Sequence, residues 1–204
     1  MSKIIAIEGP DRTGKQTQAK RLRDYLVSAG KRAAVVEVPI KDAASYDAAY
    51  WMLRNGLAKK LPRTFQTIQF MNRWLFQTRT LPELESKNDI IIFDRWSLST
   101  SVYGRAEGLS PEFVDFFYDK LRKPDYTFIL IGEAHGHEPE DVYEKDLQLQ
   151  RRVRKLYAAW GASHSHESHT INCRNPRDLI TAEMVGVLKG LGIITNTSGV
   201  NFFS

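Results

Sequence analysis

The chain has 204 residues, 29 Lys and Arg against 24 Asp and Glu, and a formal charge of +5. That length suits one domain with a substantial core, and the positive balance suits an anionic ligand, with Lys and Arg dispersed rather than gathered into one block. Cys173 is the single cysteine, which excludes an internal disulfide; no apolar run reaches the roughly 20 residues of a membrane span and the first residues lack a secretion-signal core, so a soluble, cytoplasmic chain is expected.

The first element is KIIAIE, Lys3 to Glu8, a short β-branched apolar run. It leads into GPDRTGKQT, Gly9 to Thr17, with the spacing Gly9-x4-Gly14-Lys15. From Lys15 to Ser28 the residues Ala19, Leu22, Tyr25 and Leu26 recur at helical spacing, and Gly30 closes the run. Strand, glycine-rich turn and helix form the context that a phosphate-binding loop requires. The glycines let the backbone curl so that its N–H groups face an anion at a helix N-terminus, where the dipole helps. One position departs from the usual pattern. The residue after the lysine, ordinarily a Ser or Thr that ligates magnesium, is Gln16, and Thr17 cannot replace it because one helical step turns the side chain by about 100°.

Further strand-like runs are Arg32 to Val38, Asp89 to Phe93, Tyr126 to Ile131 and His169 to Asn172, with helical stretches at 43–58, 65–85, 110–121, 143–160 and 176–190. Apolar strands alternating with helices predict an α/β fold, a parallel five-stranded sheet covered on both faces. Ligands in such sheets bind beyond the carboxyl ends of the strands, so functional residues are expected just after Glu8, Val38, Phe93 and Ile131.

Within the 65–85 stretch, FQTIQFMNRWLFQ places Arg73 among apolar residues, where it must reach water, an acid or a ligand. After the third strand comes FDRWSLSTSVYG, Phe93 to Gly104. Asp94 suits Mg²⁺ or its waters, and the planar Arg95 guanidinium suits phosphate oxygens. The H-x-H pairs His135/His137 and His164/His166, with His169, lack the spacing of a metal scaffold and fit solvated loops.

In this order the segments EGPDRTGKQTQ, VPIK, MNRW, FDRWSLST, PDYTFIL, LQRRVRKLY and INCRNP resemble the thymidylate kinase family of P-loop nucleoside monophosphate kinases over nearly the whole chain. The resemblance implies a P-loop NTPase-type sheet in a single domain, 1–204, with a short lid at about 132–145. It implies ATP as co-substrate, Mg²⁺, and phosphorylation of a deoxynucleoside monophosphate, dTMP being the expected acceptor. Other readings are a kinase for another or 5-modified deoxynucleotide, or a P-loop module that has lost the reaction and associates with DNA. Nucleotides are the expected partners, with a homodimer, no membrane and no stable nucleic acid partner.

The same resemblance gives Arg12, Lys15 and Arg95 catalytic roles. It assigns ATP to Gly9, Asp11, Arg12, Thr13, Gly14, Lys15, Gln16, Thr17, Asn172 and Arg174, and the metal to Gln16 and Asp94. It assigns the monophosphate to Asp11, Lys41, Gln69, Phe70, Arg73, Arg95, Ser99, Thr100, Tyr103 and Gln150. Arg12 matches the branch of the family that carries its transferring-phosphoryl arginine in the loop. The lid stretch Gly132 to Val142 contains no Arg or Lys, which agrees. Two positions depart: Gln69 stands where the family places a base-stacking Phe, and Lys41 stands where an arginine is common.

Overall fold

The structure is a computed structural model and describes residues 2–41, 44–132 and 142–194. Five strands, β1 (Lys3–Glu8), β2 (Ala33–Glu37), β3 (Ile90–Asp94), β4 (Tyr126–Ile131) and β5 (Ser168–Asn172), form one sheet in the order β2-β3-β1-β4-β5. Every pairing is parallel; at the centre Ile5 lies between Ile92 and Tyr126. β1 sits in the middle because KIIAIE is apolar on both faces and is buried from Ile4 onward.

Successive residues of a strand point to opposite faces. Ile5 and Ile7 therefore join a core with Leu22, Leu26, Met184 and Leu188, from α1 (Lys15–Ser28) and α9 (Arg177–Gly190). Ile4 and Ala6 join Phe70, Phe76 and Trp96 on the other side. A third cluster unites Ile129, Leu98, Val102, Val153 and Tyr157. Each such side chain stabilises by roughly 1.5–3 kcal/mol when fully buried. The sheet is thus a rigid platform whose carboxyl ends, at Glu8, Glu37, Asp94, Ile131 and Asn172, lie along one edge.

The expected helices differ from the observed ones in four places. The 43–58 stretch is two helices, α2 (Ala44–Arg54) and α3 (Leu57–Lys60), because Gly56 adopts the left-handed conformation at φ 68. The 65–85 stretch starts earlier, with Pro62 in the first turn of α4 (Pro62–Arg79), and breaks before α5 (Leu81–Lys87), whose first turn again holds a proline. The FDRWSLSTSVYG segment continues as a helix, α6 (Ser97–Ala106), followed by α7 (Pro111–Lys120). The last long helix before β5, α8 (Leu147–Ser163), begins four residues later than 143, at an N-cap where Asp146 accepts the Leu149 N–H at 2.9 Å. Most of the expected lid, 133–141, lies outside the described residues.

Candidate active site

The loop between β1 and α1 is shaped by close approach. Gly9 has φ 145, and a Cβ there would fall 2.3 Å from the Leu130 carbonyl oxygen, so no other residue fits. Thr13 Oγ1 donates to the Pro10 carbonyl at 3.0 Å, and Gly14, at φ 80, turns the chain into α1. Lys15 is buried and its ammonium donates to the same Pro10 carbonyl. Burial and the nearby Arg95 guanidinium lower its pKa to about 8, against the raising influence of Asp94, Asp11 and Glu8.

Two arginines, one within this loop and one beside it, adopt a conformation that L-residues avoid. Arg12 has φ 61 and Arg95 φ 67. The left-handed region costs roughly 1–2 kcal/mol per non-glycine residue, and such strain concentrates at functional sites. The Arg12 Nε is buried with no hydrogen-bond partner. Arg95 is better tethered: its Nη1 donates to the Gly9 carbonyl at 3.0 Å, its Nη2 pairs with Asp11, and its guanidinium lies 5.4 Å from the Tyr103 ring centre. Asp11 also accepts from the Tyr103 hydroxyl at 2.8 Å and from Gln150 Nε2 at 2.6 Å. Burial alone would raise the Asp11 pKa; Arg95, Lys15 and the two hydrogen bonds outweigh it and hold the carboxyl below its usual range.

A cleft of about 840 Å³ opens over this loop, walled by Asp94 and Arg95 on one side and by Arg174, Asn175 and Pro176 beyond β5 on the other. Gln16 lines it, and its Nε2 donates to Glu37 Oε1 at 2.7 Å, leaving the amide carbonyl oxygen as its acceptor. Burial would raise the Glu37 pKa, but the bonds from Gln16 and Lys41 outweigh that and lower it. Asp94, at the end of β3, has a raised pKa: burial dominates, with Lys15 and Arg95 opposing. Among the described residues no group of three or more His, Cys, Asp or Glu could hold a metal. One carboxylate and one amide oxygen beside a phosphate cradle fit Mg²⁺, which takes one or two protein ligands alongside substrate phosphates and water.

Behind Asp11 and Arg95 lies a second, smaller cavity of about 160 Å³. Its aromatic wall comes from Phe65, Tyr103 and Tyr143, and its polar wall from Gln66, Gln69 and Arg73. Arg73 is buried; its Nε donates to the Trp96 carbonyl at 3.2 Å and its Nη1 to Gln69, at 2.9 Å to the carbonyl and 3.3 Å to Oε1. Burial lowers its pKa to about 10, with the Glu8 carboxylate opposing.

Glu8 explains how α6 is held. It is fully buried at the end of β1, and its Oε1 accepts the backbone N–H of Trp96 at 2.7 Å and of Ser99 at 3.2 Å. Its Oε2 accepts from the Ser99 hydroxyl at 2.6 Å and the Tyr157 hydroxyl at 2.9 Å. A carboxylate thus caps a helix whose own N-cap, Trp96, supplies no side-chain bond. Through this bond the central strand fixes the start of α6, and with it Arg95.

Gly9 to Thr17, Asp94, Arg95, Tyr103, Gln150 and Arg73 therefore converge. Several other expected residues lie elsewhere or are engaged with other partners. Phe70 stacks on Phe117, with ring centres 4.4 Å apart, and belongs to the core rather than to the small cavity. Lys41 is exposed and pairs with Glu37 at 3.3 Å. Ser99 lines the small cavity but spends its hydroxyl on Glu8, and Thr100 Oγ1 is buried without a partner. Asn172 lines a neighbouring groove beside β4 and β5 and accepts the Arg174 N–H at 3.0 Å; Arg174 reaches both the groove and the large cleft. Of the histidines, His164 stacks on Trp160 with ring centres 4.2 Å apart and His169 pairs with Glu183 at 2.8 Å, while His135 and His137 lie outside the described residues.

Sequence reading missed Glu8, Glu37, Gln66, Glu107, Tyr143 and Tyr157. Glu8 carried a usable signal, an acid ending an apolar strand directly before the loop. The others, Glu37 ending β2, Gln66 on α4, Glu107 just after α6, Tyr143 before α8 and Tyr157 on α8, meet only across elements distant in sequence, which no motif announces.

A parallel sheet with a glycine-rich loop between its central strand and a helix, and an Asp-Arg pair ending the adjacent strand, defines a P-loop nucleotide-binding protein. A family model described as thymidylate kinase matches residues 7–184. The chain belongs to the thymidylate kinase family. Over 151 residues it is 31% identical to a thymidylate kinase of African swine fever virus, the aligned part covering 72% of this chain and 56% of the viral protein. The chain thus spans little more than half the length of that relative. Over 163 residues it is 29% identical to a thymidylate kinase of Schizosaccharomyces pombe, covering 76% of this chain and 75% of the yeast protein. A solved structure of thymidylate kinase from Candida albicans shares the fold, with a TM-score of 0.75 and 20% identity over 96% of each chain.

Proposed function

We propose that the protein transfers the γ-phosphoryl group of ATP to the phosphate of a deoxynucleoside monophosphate, converting dTMP to dTDP with release of ADP. The observation that carries this reading is that Asp11 and Arg95 line both the large cleft and the small cavity. A donor in the first and an acceptor in the second would meet at these two side chains. Phosphoryl transfer asks the protein for alignment and charge neutralisation more than for covalent chemistry. Lys15 binds the β- and γ-phosphates. Arg95 holds the acceptor phosphate, kept in place by Asp11 and the Gly9 carbonyl. Arg12, with its unpartnered Nε, neutralises the transferring group. Arg73 and its glutamine neighbours meet the base. When bound, Mg²⁺ neutralises charge on the β- and γ-phosphates, with Asp94 and the Gln16 carbonyl oxygen, or their waters, holding it.

This reading includes a homodimeric cytoplasmic enzyme with a lid over the donor. No helix among the described residues is long and apolar enough to cross a membrane. Size-exclusion chromatography with light scattering tests the dimer. For the reaction, ADP formation is followed with ATP and a panel of nucleoside monophosphates. ADP release that depends on dTMP is the expected result; hydrolysis indifferent to every acceptor, or stimulated by DNA alone, would overturn the reading.

A further inference from the structure

The polar wall of the small cavity has a direction. Gln66, Gln69 and Arg73 stand three and four residues apart on α4, so they form one stripe on the helix face. Gln66 is only 4% exposed, and its Nε2 donates to Glu107 Oε2 at 2.6 Å. Ionised, as it is at pH above about 7, this carboxylate accepts and does not donate, which fixes the sense of the amide: Gln66 keeps its carbonyl oxygen for the cavity. Gln69 is oriented the other way. Its Oε1 accepts from Arg73 Nη1 at 3.3 Å, so its Nε2 remains as a donor on the same wall as the Arg73 guanidinium. The wall therefore presents one acceptor followed by donors.

We infer that Gln66 and Gln69 select the acceptor base by reading an imide edge, Gln66 Oε1 accepting from a ring N–H and Gln69 Nε2 donating to the adjacent carbonyl, with Glu107 as the positioning residue that sets the Gln66 amide. Thymine and uracil carry that pair of groups. Cytosine carries the reverse, a bare ring nitrogen beside an amino group, and meets an acceptor with an acceptor and a donor with donors. Buried polar groups left facing the wrong partner are what make such discrimination large. Guanine shares the N–H and carbonyl but adds a second ring, and cavities near 150 Å³ are known to take a single ring such as benzene. Glu107 is itself held from the other side by the Tyr143 hydroxyl. Tyr143 also lines the cavity, so one carboxylate fixes two of its walls.

The inference rests on the small cavity being the acceptor site, and the test separates the two. Binding of dTMP and dCMP is measured by calorimetric titration, with turnover measured independently, for the wild type, Gln66→Met, Gln69→Leu and Glu107→Gln. The wild type is expected to favour dTMP by about 100-fold or more. Gln66→Met and Gln69→Leu should each cut that ratio by about tenfold, the loss of one buried hydrogen bond and its mismatch penalty, with ATP affinity unchanged. Glu107→Gln, which can present a donor to Gln66 and release its amide, should cut the ratio several-fold. If Glu107 is only structural, its variant lowers the melting temperature and leaves the ratio alone. Gln69 is partly exposed, so its variant carries the test even where Gln66→Met fails to fold. Ratios unchanged while dTMP still binds and reacts overturn the base readout and leave the kinase reading standing. A wild type that binds neither monophosphate overturns both.

Discussion

The large cleft and the small cavity share Asp11 and Arg95 but are made in different ways. The cleft is a backbone construction: Gly9 and Gly14 set its curve, and the loop occupies nine consecutive residues, Gly9 to Thr17. The cavity is a side-chain construction, assembled from Asp11, from Val38 and Pro39 after β2, from α2, α4 and α6, and from Tyr143 before α8. A backbone cradle tolerates side-chain change, as Gln16 illustrates, whereas a side-chain pocket changes its ligand when one position changes. Chemistry is therefore expected to be fixed by the cleft and selectivity by the cavity.

Substitution on the cleft side gives the largest expected effect. With no Arg or Lys in Gly132 to Val142, the proposed reading assigns the transferring group to Arg12, beside Lys15 in the same loop. Arg12→Ala should lower kcat by on the order of 10³-fold or more, with much smaller changes in KM for either nucleotide. Steady-state kinetics with both substrates varied decides this, and a loss confined to KM would reduce Arg12 to a ground-state phosphate ligand.

Across the boundary, Arg73→Ala should raise KM for the monophosphate by on the order of 10²-fold while ATP binding is kept, the range expected for truncating a charged partner of a substrate. Equal weakening of both nucleotides in titrations, or an unfolded variant, would make Arg73 a strut between α4 and Trp96 instead.

A smaller change is expected at Gln16, whose oxygen, on the proposed reading, supplies one neutral ligand among about six. Gln16→Ser should keep activity and lower the Mg²⁺ concentration for half-maximal rate a few-fold, and Asp94→Asn should raise it. Magnesium titrations of the rate test both; an enzyme indifferent to Mg²⁺, or inactivated by Gln16→Ser, contradicts the assignment.

The smallest effect concerns stability. Burial raises the Glu107 pKa from the ordinary 4.5 to about 7, with the bonds from Tyr143 and Gln66 opposing. Between those values the folded protein holds a proton that the unfolded chain has released. Stability contributed by this group is therefore present at lower pH and is lost as pH rises from about 4.5 through about 7. Thermal unfolding of the wild type against Glu107→Gln across that window should show a difference that grows in favour of the variant at the upper end. A difference that does not vary with pH would mean the carboxyl titrates normally.

The contrast between backbone and side-chain construction also decides what could be read from the chain. Gly9-x4-Gly14-Lys15 is legible because the loop's geometry is local, and the sheet because its strands are continuous apolar runs. Helix breaks at Gly56 and at Leu81-Pro82 were carried by residues with known effects on φ, yet the apolar spacing ran through them and masked them. In the small cavity the residues by themselves pointed to Arg73, a charge stranded in an apolar helix, while Asp11, Gln69, Arg95, Ser99 and Tyr103 came through the family resemblance. Gln66 and Glu107 stand 41 residues apart and become a pair only when α4 packs on α6, which no local pattern announces. Phe70, expected among the monophosphate residues, lies one helical step of about 100° from Gln69 and packs in the core against Phe117.

The left-handed backbone at Arg12 and Arg95 has a consequence for any attempt to harden this protein against heat. Glycine at Arg12 would relieve the local strain, and asparagine would do so in part, whereas at Arg95 the same change would strip Asp11 of its ion pair and cost more than it relieves. A screen that rewards heat resistance alone should return the Arg12 replacements, at a position that lines the large cleft. Such clones would outlast the parent on heating and fail as catalysts. Arg12 marks where selection for turnover and selection for durability pull the same codon in opposite directions.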